Sequence, residues 1–265
     1  MPLEPPTGVC NMSHSSQSRQ HSLPIALVTA TRMEMQTVLK EAVRGMRLTP
    51  RCPQPLLWQE RHLLLLVTGI GPVNAALALG RLFGEGRHLA GVINMGIAGS
   101  FDPAILGLGA TVSVEQEIWP EFGLHTEQGL DAKALGLGHG RSGQEVIWDR
   151  LSLNPQGAAA AMQVQLPGEW PGVISLSVAG VSGTRERAVE LWQRTKAQVE
   201  NMEGFALAWS CACEGLPFLQ VRTVSNRVGA RDPQEWDMRL AKTRLREAAL
   251  RVMGPVRQPL PGPGQ

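Results

Sequence analysis

Residues 199–204 read Val-Glu-Asn-Met-Glu-Gly and lead from a short strand into a strongly apolar helix. That helix is predicted at residues 205–213, and Gly215 follows its end. Two carboxylates, those of Glu200 and Glu203, therefore lie on the turn that enters the helix. A carboxylate in the first turn can simply complement the helix dipole, which contributes about 0.3–1 kcal/mol. The strand that follows the helix favours a functional role instead.

That strand ends in polar residues. Residues 218–226 read Phe-Leu-Gln-Val-Arg-Thr-Val-Ser-Asn, so the predicted strand closes with Ser225 and Asn226. In open α/β sheets, ligands bind beyond the carboxyl ends of the strands, where such side chains point. The sequence therefore predicts a ligand site at this edge of the sheet, next to Glu203.

A third carboxylate follows the first predicted strand. Residues 24–30 form a continuous apolar run, which is typical of a central parallel strand. A helix is predicted at residues 35–44, and Glu34 lies between the two elements. Glu34 can belong to the ligand site, or it can be a first-turn helix carboxylate, and the sequence leaves both interpretations open.

Two glycine-rich segments also follow strands. Residues 91–101 predict a strand that opens into a loop at residues 96–99, where small residues serve either a close ligand or the turn itself. Residues 68–75 have the strand–glycine–helix order that presents N–H groups to an anion. The dinucleotide-binding fingerprint is incomplete there, because Asn74 replaces the third glycine and Pro72 has no N–H. A tight turn is the better interpretation, and an NAD-dependent oxidoreductase is disfavoured.

Alternating strands and helices predict an α/β protein, a single-domain α/β/α sandwich with a mostly parallel, twisted central sheet. Residues 119–156 lack this pattern and are predicted to be a long loop that shapes one end of a pocket. The remaining predicted elements are a hairpin or two adjacent strands at 56–67, strands at 109–114 and 172–180, and helices at 75–80, 185–197 and 235–253. Polar, proline-containing stretches at 1–22 and 255–265 are predicted to be disordered tails of a catalytic domain at 23–254.

Composition excludes several classes of protein. The 25 basic and 23 acidic residues give a net charge of +2 without a basic run, which argues against nucleic-acid binding. No apolar run has membrane length, and the first 22 residues lack the apolar core of a secretory signal. The four cysteines and six histidines have neither zinc-ligand nor disulfide spacing, so we expect no metal, no cofactor and a cytoplasmic location.

Taken together, the features that follow the strands resemble the nucleoside phosphorylase and nucleosidase family. This family includes purine nucleoside phosphorylases and 5′-methylthioadenosine/S-adenosylhomocysteine nucleosidases. The resemblance covers residues 25–251, and the pairs Met202-Glu203 and Ser225-Asn226 are its most specific part. Within the family, segments 199–204, 69–75 and 94–100 are most similar to the hydrolases that release hypoxanthine on the alternative route to menaquinone.

The resemblance implies roles for the carboxylates. Breaking an N-glycosidic bond passes through an oxocarbenium-like sugar, which nearby carboxylates stabilise. Glu203 matches the residue that binds the ribose hydroxyls, and Met202 matches the residue beneath the sugar. Glu34 matches the glutamate that positions and activates the attacking water, as a general base.

Asn226 departs from the adenine-specific members, which have an aspartate at this position. An asparagine cannot supply a proton, but its NH₂ group can donate to N7 or to O6 of a 6-oxopurine. The resemblance therefore implies hypoxanthine or guanine as the leaving base, with Ser225 orienting Asn226. The other substrate-binding residues that it implies are Ile97, Ala98, Gly99, Gly180 and Val181.

Water is the expected acceptor. The family phosphorylases hold phosphate with arginines near the first glycine loop and after the strand that contains Asn94, where this chain has Ile97. Arg32 remains a candidate phosphate ligand. We therefore expect a hydrolase that acts on a small purine nucleoside. A purine nucleoside phosphorylase, an adenine nucleosidase and a non-catalytic nucleoside-binding protein stay open.

The resemblance also implies a homodimer or larger homo-oligomer. The segments around Trp58 and Trp119 are either interface or core, because buried aromatic residues serve both.

Overall fold

The computed structural model describes residues 23–127, 129–230 and 232–254. The predicted tails at 1–22 and 255–265 lie outside these residues. The strands are β1 (Ile25–Thr29), β2 (Gln54–Trp58), β3 (Arg61–Val67), β4 (Gly91–Ser100), β5 (Thr111–Ile118), β6 (Leu124–Thr126), β7 (Gly129–Asp131), β8 (Gly140–Ser142), β9 (Glu145–Ile147), β10 (Arg150–Ser152), β11 (Gly172–Ser177), β12 (Val199–Asn201) and β13 (Phe218–Arg227). The helices are α1 (Arg32–Leu39), α2 (Pro72–Gly84), α3 (Pro155–Ala161), α4 (Arg185–Thr195), α5 (Gly204–Cys213) and α6 (Met238–Met253), with short 3-10 turns at Lys40–Val43 and Pro233–Glu235.

Side chains of β1 alternate between two apolar layers, because successive residues of a strand point to opposite faces. Ile25 and Leu27 pack with α1, α3 and α6 in one cluster. Ala26 and Val28 pack with α2 and α5 in the other. Helices therefore cover both faces of the sheet, and the predicted α/β class is confirmed.

The main sheet is mixed. Within the described residues it has nine strands in the order β10-β5-β11-β12-β4-β1-β3-β2, and β13 pairs with both β4 and β5. The pairs β1–β3, β1–β4, β4–β13, β5–β11 and β11–β12 are parallel. The pairs β2–β3, β4–β12, β5–β13 and β5–β10 are antiparallel. A mostly parallel sheet is therefore not confirmed.

Strands β4, β13, β5, β11 and β12 close into a ring, since each of them pairs with the next. The short strand β12 completes it by running antiparallel to β4, with Val199 opposite Ser100 and Glu200 opposite Gly99. The chain therefore turns back along β4 as it approaches Glu203. This return brings Glu203 to the same edge as the ends of β1 and β13.

Two predicted loops are corrected by the structure. Gly96–Gly99 belongs to β4, where Gly96 is paired with Arg222 of β13. The glycines in this segment favour a loop in the sequence, but in the structure they make room for neighbouring side chains. Residues 119–156 contain two hairpins, β6–β7 and β8–β9, the strand β10 and the start of α3. Strands of three residues are too short to give a periodic signal in the sequence.

Within the described residues, no helix combines the length and the apolar character needed to cross a bilayer.

Candidate active site

Glu34 lies in the first turn of α1, directly after β1. Its Oε2 accepts from the N–H and the hydroxyl group of Thr31, at 2.9 and 2.8 Å, and the N–H of Glu34 donates to that hydroxyl at 3.2 Å. This capping box starts α1 at Arg32, three residues earlier than predicted. The other oxygen, Oε1, accepts from the N–H of Ile97 at 3.2 Å. Glu34 thus both caps the helix and reaches the edge of β4, at 4% exposure.

Glu203 points away from the helix that it precedes. It is the N-cap residue of α5, yet its side chain makes no capping hydrogen bond. Its Oε1 accepts instead from the N–H of Gly71 at 2.8 Å. Burial raises the pKa of Glu203 and the charge of Glu34 raises it further, while Arg222 and the Gly71 N–H oppose this shift. The helix-dipole interpretation does not explain this orientation.

Arg222 is a buried positive charge, at 1% exposure, and its charge opposes the rise in the pKa of Glu203. Its Nη2 donates to Oδ1 of Asn201 at 3.2 Å, and its Nε has no hydrogen-bond partner among the described residues. Its Nη1 and Oε1 of Glu34 border Gly96 together: a Cβ there would collide with Nη1 and lie 2.8 Å from Oε1. The two groups can therefore hold one small polar molecule between them.

Arg222 and Asn201 are not among the site residues predicted from the sequence. The signal for Arg222 was available, because a charged residue inside the apolar run at 218–224 is unusual for a buried strand. No comparable signal marks Asn201, since its importance depends on contacts with distant strands.

Asn226 is presented by a bulge in β13. The pairing with β4 shifts between Val224 and Asn226, so Ser225 is the extra residue. The Ser225 hydroxyl donates to Oδ1 of Asn226 at 2.8 Å and lies 3.3 Å from the carbonyl oxygen of Ala98. The Asn226 Nδ2 donates to the carbonyl of Arg227 at 2.9 Å, and a Cβ on Gly99 would lie 3.1 Å from it. Orienting Oδ1 toward Ser225 directs the NH₂ group toward Gly99.

Gly180 and Val181 lie on an exposed segment after β11. The next residue, Ser182, is hydrogen-bonded to Glu200: its N–H and its hydroxyl donate to that carboxylate at 2.9 and 2.6 Å. Met202 is partly buried against the apolar cluster beneath β12. The structure thus links this segment to β12 through Glu200.

Arg32 is exposed at the start of α1, whereas Ile97 is half-buried in β4. The described residues include no cluster of three or more His, Cys, Asp or Glu side chains that could hold a metal. The cysteines that the structure describes, Cys52, Cys211 and Cys213, are free thiols.

Comparison with known proteins identifies the relatives of this chain. The family model described as the phosphorylase superfamily matches residues 56–254. Futalosine hydrolase of Thermus thermophilus is 34% identical over 194 residues, which cover 71% of this chain and 80% of that protein. Futalosine hydrolase of Streptomyces coelicolor is 33% identical over 190 residues, covering 69% and 75%.

Solved structures share the fold. The 5′-methylthioadenosine/S-adenosylhomocysteine nucleosidase of Helicobacter pylori superposes with a TM-score of 0.64 at 18% identity, covering 86% of this chain and 95% of that one. At this identity the likeness concerns the fold alone.

Proposed function

The chain belongs to the phosphorylase superfamily, and we propose on that premise that it hydrolyses the N-glycosidic bond of futalosine. The products are hypoxanthine and dehypoxanthine futalosine, and the reaction belongs to menaquinone biosynthesis. The names of the two relatives at 33% and 34% identity support this assignment. The observation that carries it is the convergence of buried Glu34, Glu203 and Arg222 at one edge of the sheet, with an asparagine as base reader.

Glu203 stabilises the sugar. An ionised carboxylate accepts hydrogen bonds from two vicinal ribose hydroxyls, which orients the ring. Its negative charge lies close to the oxocarbenium-like centre that forms as the bond to the base breaks. The hydrogen bond from Gly71 holds the carboxylate in place at 2.8 Å. Met202 packs beneath the sugar.

Glu34 and Arg222 position the attacking water. Oε2 of Glu34 accepts two hydrogen bonds from Thr31, whereas Oε1 accepts one, from Ile97, and keeps a lone pair for the proton of the water. Arg222 donates to the same water from across Gly96. As the water attacks the anomeric carbon, its proton passes to Oε1, which makes Glu34 the general base.

Asn226 reads the leaving base. With Oδ1 accepting from Ser225, the amide presents its NH₂ group, which donates to N7 or O6 of hypoxanthine. An adenine amino group would place a donor against this donor, and such a mismatch lowers reactivity by orders of magnitude. Hydrogen bonding, rather than full protonation, stabilises the departing base. Ile97, Ala98, Gly99, Gly180 and Val181 line the rest of the site.

Charge favours water over phosphate as the acceptor. Glu34 and Glu203 are both buried, and Arg222 is the one buried arginine among the residues that the structure describes, so a phosphate dianion would meet uncompensated negative charge. The Gly71 N–H, in the turn best suited to an anion, already donates to Glu203. Arg32, the remaining candidate phosphate ligand, is exposed.

We further propose a homodimer or larger assembly that acts in the cytoplasm. Ile70, Val73 and Leu77 are 57%, 79% and 57% exposed, and they lie at positions of α2 and its entry that share one face. This apolar face adjoins Gly71, the partner of Glu203, which supports an interface close to the site. Trp58 and Trp119 are partly buried against the core clusters, which favours core over interface for both.

Release of free base tests the function. The purified protein is incubated with futalosine, inosine and methylthioadenosine, each with and without phosphate, and the bases are separated by chromatography. We expect hypoxanthine from futalosine, at a rate that phosphate does not change. Phosphate-dependent release from inosine would identify a phosphorylase, and release of adenine an adenine nucleosidase. No release from any substrate would favour a nucleoside-binding protein.

A further inference from the structure

Glu117 is a fully buried carboxylate on β5, inside the ring of strands and outside the set of residues that meet the substrate. Its Oε1 accepts from Nδ2 of Asn201 at 3.0 Å and from Nε2 of Gln220 at 2.7 Å. Its Oε2 accepts from the hydroxyl of Ser177 at 2.8 Å. Burial raises the pKa of Glu117, while the hydrogen bonds from Ser177 and Gln220 and the charge of Arg222 oppose this rise. All three partners donate, and this arrangement favours the ionised carboxylate, which can only accept.

Glu117 fixes the orientation of the Asn201 amide. Nδ2 of Asn201 donates to Glu117, and also lies 2.8 Å from the Ser175 hydroxyl and 3.0 Å from the Leu176 carbonyl. Oδ1 must therefore face the other way. A reversed amide would set its NH₂ group against donors and its oxygen against a carboxylate, leaving buried groups unpaired.

Oδ1 of Asn201 binds next to two of the three charged groups of the site, Glu203 and Arg222. It accepts from the N–H groups of Glu203 and Gly204, at 2.8 and 2.7 Å, and from Nη2 of Arg222 at 3.2 Å. One amide oxygen thus fixes both the backbone from which the Glu203 carboxylate projects and the guanidinium that faces Glu34.

The first turn of α5 also rests on Glu117. The N–H of Phe205 donates to the Ser177 hydroxyl at 2.6 Å, and that hydroxyl donates to Glu117. A Cβ on Gly204 would collide with Oε1 of Glu117, so only glycine lets the backbone pack directly on the carboxylate. Three successive N–H groups, those of residues 203–205, therefore end on side chains that Glu117 binds.

From these contacts we propose that Glu117 is a positioning residue for the hydrolysis. Through Asn201 it sets the distance between the sugar-binding carboxylate of Glu203 and the water-binding guanidinium of Arg222. This role rests on the proposed function. It involves no contact between Glu117 and the substrate. It requires that Glu117 accepts the hydrogen bond that the amide of Asn201 donates.

Exchanging the chemistry of the pair tests the proposal. Asn201→Asp sets two carboxylates against each other, and we expect kcat for hypoxanthine release to fall at least about 100-fold. In the double variant Glu117→Gln/Asn201→Asp, the new amide donates to the new carboxylate, and the buried charge equals that of the wild type. We expect kcat to recover at least about 10-fold relative to Asn201→Asp. Glu117→Gln alone should lower kcat about 10-fold, because its NH₂ group replaces an acceptor.

Controls separate positioning from folding. Glu115→Gln removes an exposed carboxylate from the same strand and should leave kcat and KM unchanged. Each variant is checked by circular dichroism and thermal denaturation, and kcat is expressed per folded protein well below every Tm. Wild-type kcat in Glu117→Gln would overturn the proposal, as would a folded double variant no faster than Asn201→Asp. If the variants that carry Asn201→Asp do not fold, kcat of Glu117→Gln alone tests the proposal, which expects a decrease of about 10-fold.

The wild type separates this proposal from the function on which it rests. A wild-type protein that releases no base would overturn the proposed function and this role with it. An active wild type combined with an unrescued double variant would overturn this role alone.

Discussion

Glu34 divides two tasks between its two oxygens, and this division makes the general base testable. Glutamine at this position still supplies an oxygen for the Thr31 N–H, because capping boxes accept Glu or Gln. Glu34→Gln should therefore keep its Tm but lose about 100-fold or more in kcat, with little change in KM. Steady-state kinetics and thermal denaturation check both halves.

The matched control for Glu34 is Glu41→Gln, which changes an exposed glutamate of the same segment and should leave kcat unchanged. An unaltered rate in Glu34→Gln would remove this residue from the mechanism.

Burial of the ionised Glu203 carboxylate lowers the stability of the folded protein, and the size of this loss depends on pH. Because burial raises its pKa above the ordinary 4.5, the folded protein binds the proton more tightly than the unfolded chain. Stability is therefore lost as pH rises from about the unfolded pKa through the raised folded pKa. Glu203→Gln should abolish turnover yet show a higher Tm than wild type at pH 8, and this difference should shrink as pH falls to 4.

Thermal denaturation between pH 4 and pH 8 decides this prediction. A variant less stable than wild type at pH 8, or a difference that grows on acidification, would contradict it.

Asn226, which the bulge in β13 presents, is the residue that we propose reads the leaving base. Asn226→Asp exchanges the NH₂ donor for an acceptor or a proton-donating acid, which suits the amino group of adenine. We expect the ratio of kcat/KM for methylthioadenosine to that for futalosine to rise about 100-fold. Kinetics with both nucleosides measure it, and an unchanged ratio would count against Asn226 as the base reader.

The place of a single residue can be predicted from the sequence where it follows a strand end. Glu34, Glu203 and Asn226 each have such a position along the chain, while their roles in the reaction stay predictions. Arg222 was passed over because it stands four residues before the end of its predicted strand. Its inward direction results from pairing with Gly96, which the sequence of one strand does not reveal.

Strand β4 supplies the space in which the charged groups meet. At Gly96 a Cβ would collide with Arg222 and lie 2.8 Å from Oε1 of Glu34. Gly96→Ala should therefore displace both groups, lowering kcat about 100-fold and stability by about 1–3 kcal/mol. Enzyme kinetics and denaturant unfolding measure the two effects.

Gly80→Ala is the control for Gly96, because nothing lies within 4 Å of a Cβ there, on an exposed position of α2. Alanine at residue 80 should leave kcat unchanged and stabilise by about 0.5–1 kcal/mol. If Gly96→Ala and Gly80→Ala gave the same kcat and the same stability, glycine would not be required at residue 96.

Long elements were predicted better than short ones. The paired strands at 56–67 and the helix at 205–213 appear close to their expected bounds. The strand that begins at Gly91 was also expected, but it continues through the predicted loop at 96–99. The three-residue strands between 124 and 152 were assigned to a loop, since a period of two cannot be recognised over three residues. These short strands form because they pair with one another or with β5, rather than because of local propensity.

The closed ring of strands was not predictable from alternation alone. Alternating strands and helices indicate a parallel sheet, and five pairings are indeed parallel among the described residues. The ring, however, depends on β12, whose three residues pair antiparallel with β4. After this reversed strand, Glu203 accepts from Gly71, and Asn201 at its end accepts from Arg222.

Assembly of the whole molecule should depend on the apolar face of α2. Val73 is 79% exposed in the first turn of this helix, where a glutamate is compatible with the helix dipole. Val73→Glu should therefore keep the fold of each subunit while placing charge in the proposed interface, where an unpaired charge is costly. Light scattering after size-exclusion chromatography should give a dimer or larger species for wild type and a monomer for the variant. Val189→Glu, at a 52% exposed position on α4, should not change the mass. If the wild type were monomeric, or if Val73→Glu remained oligomeric, the proposal of an interface on this face of α2 would be wrong.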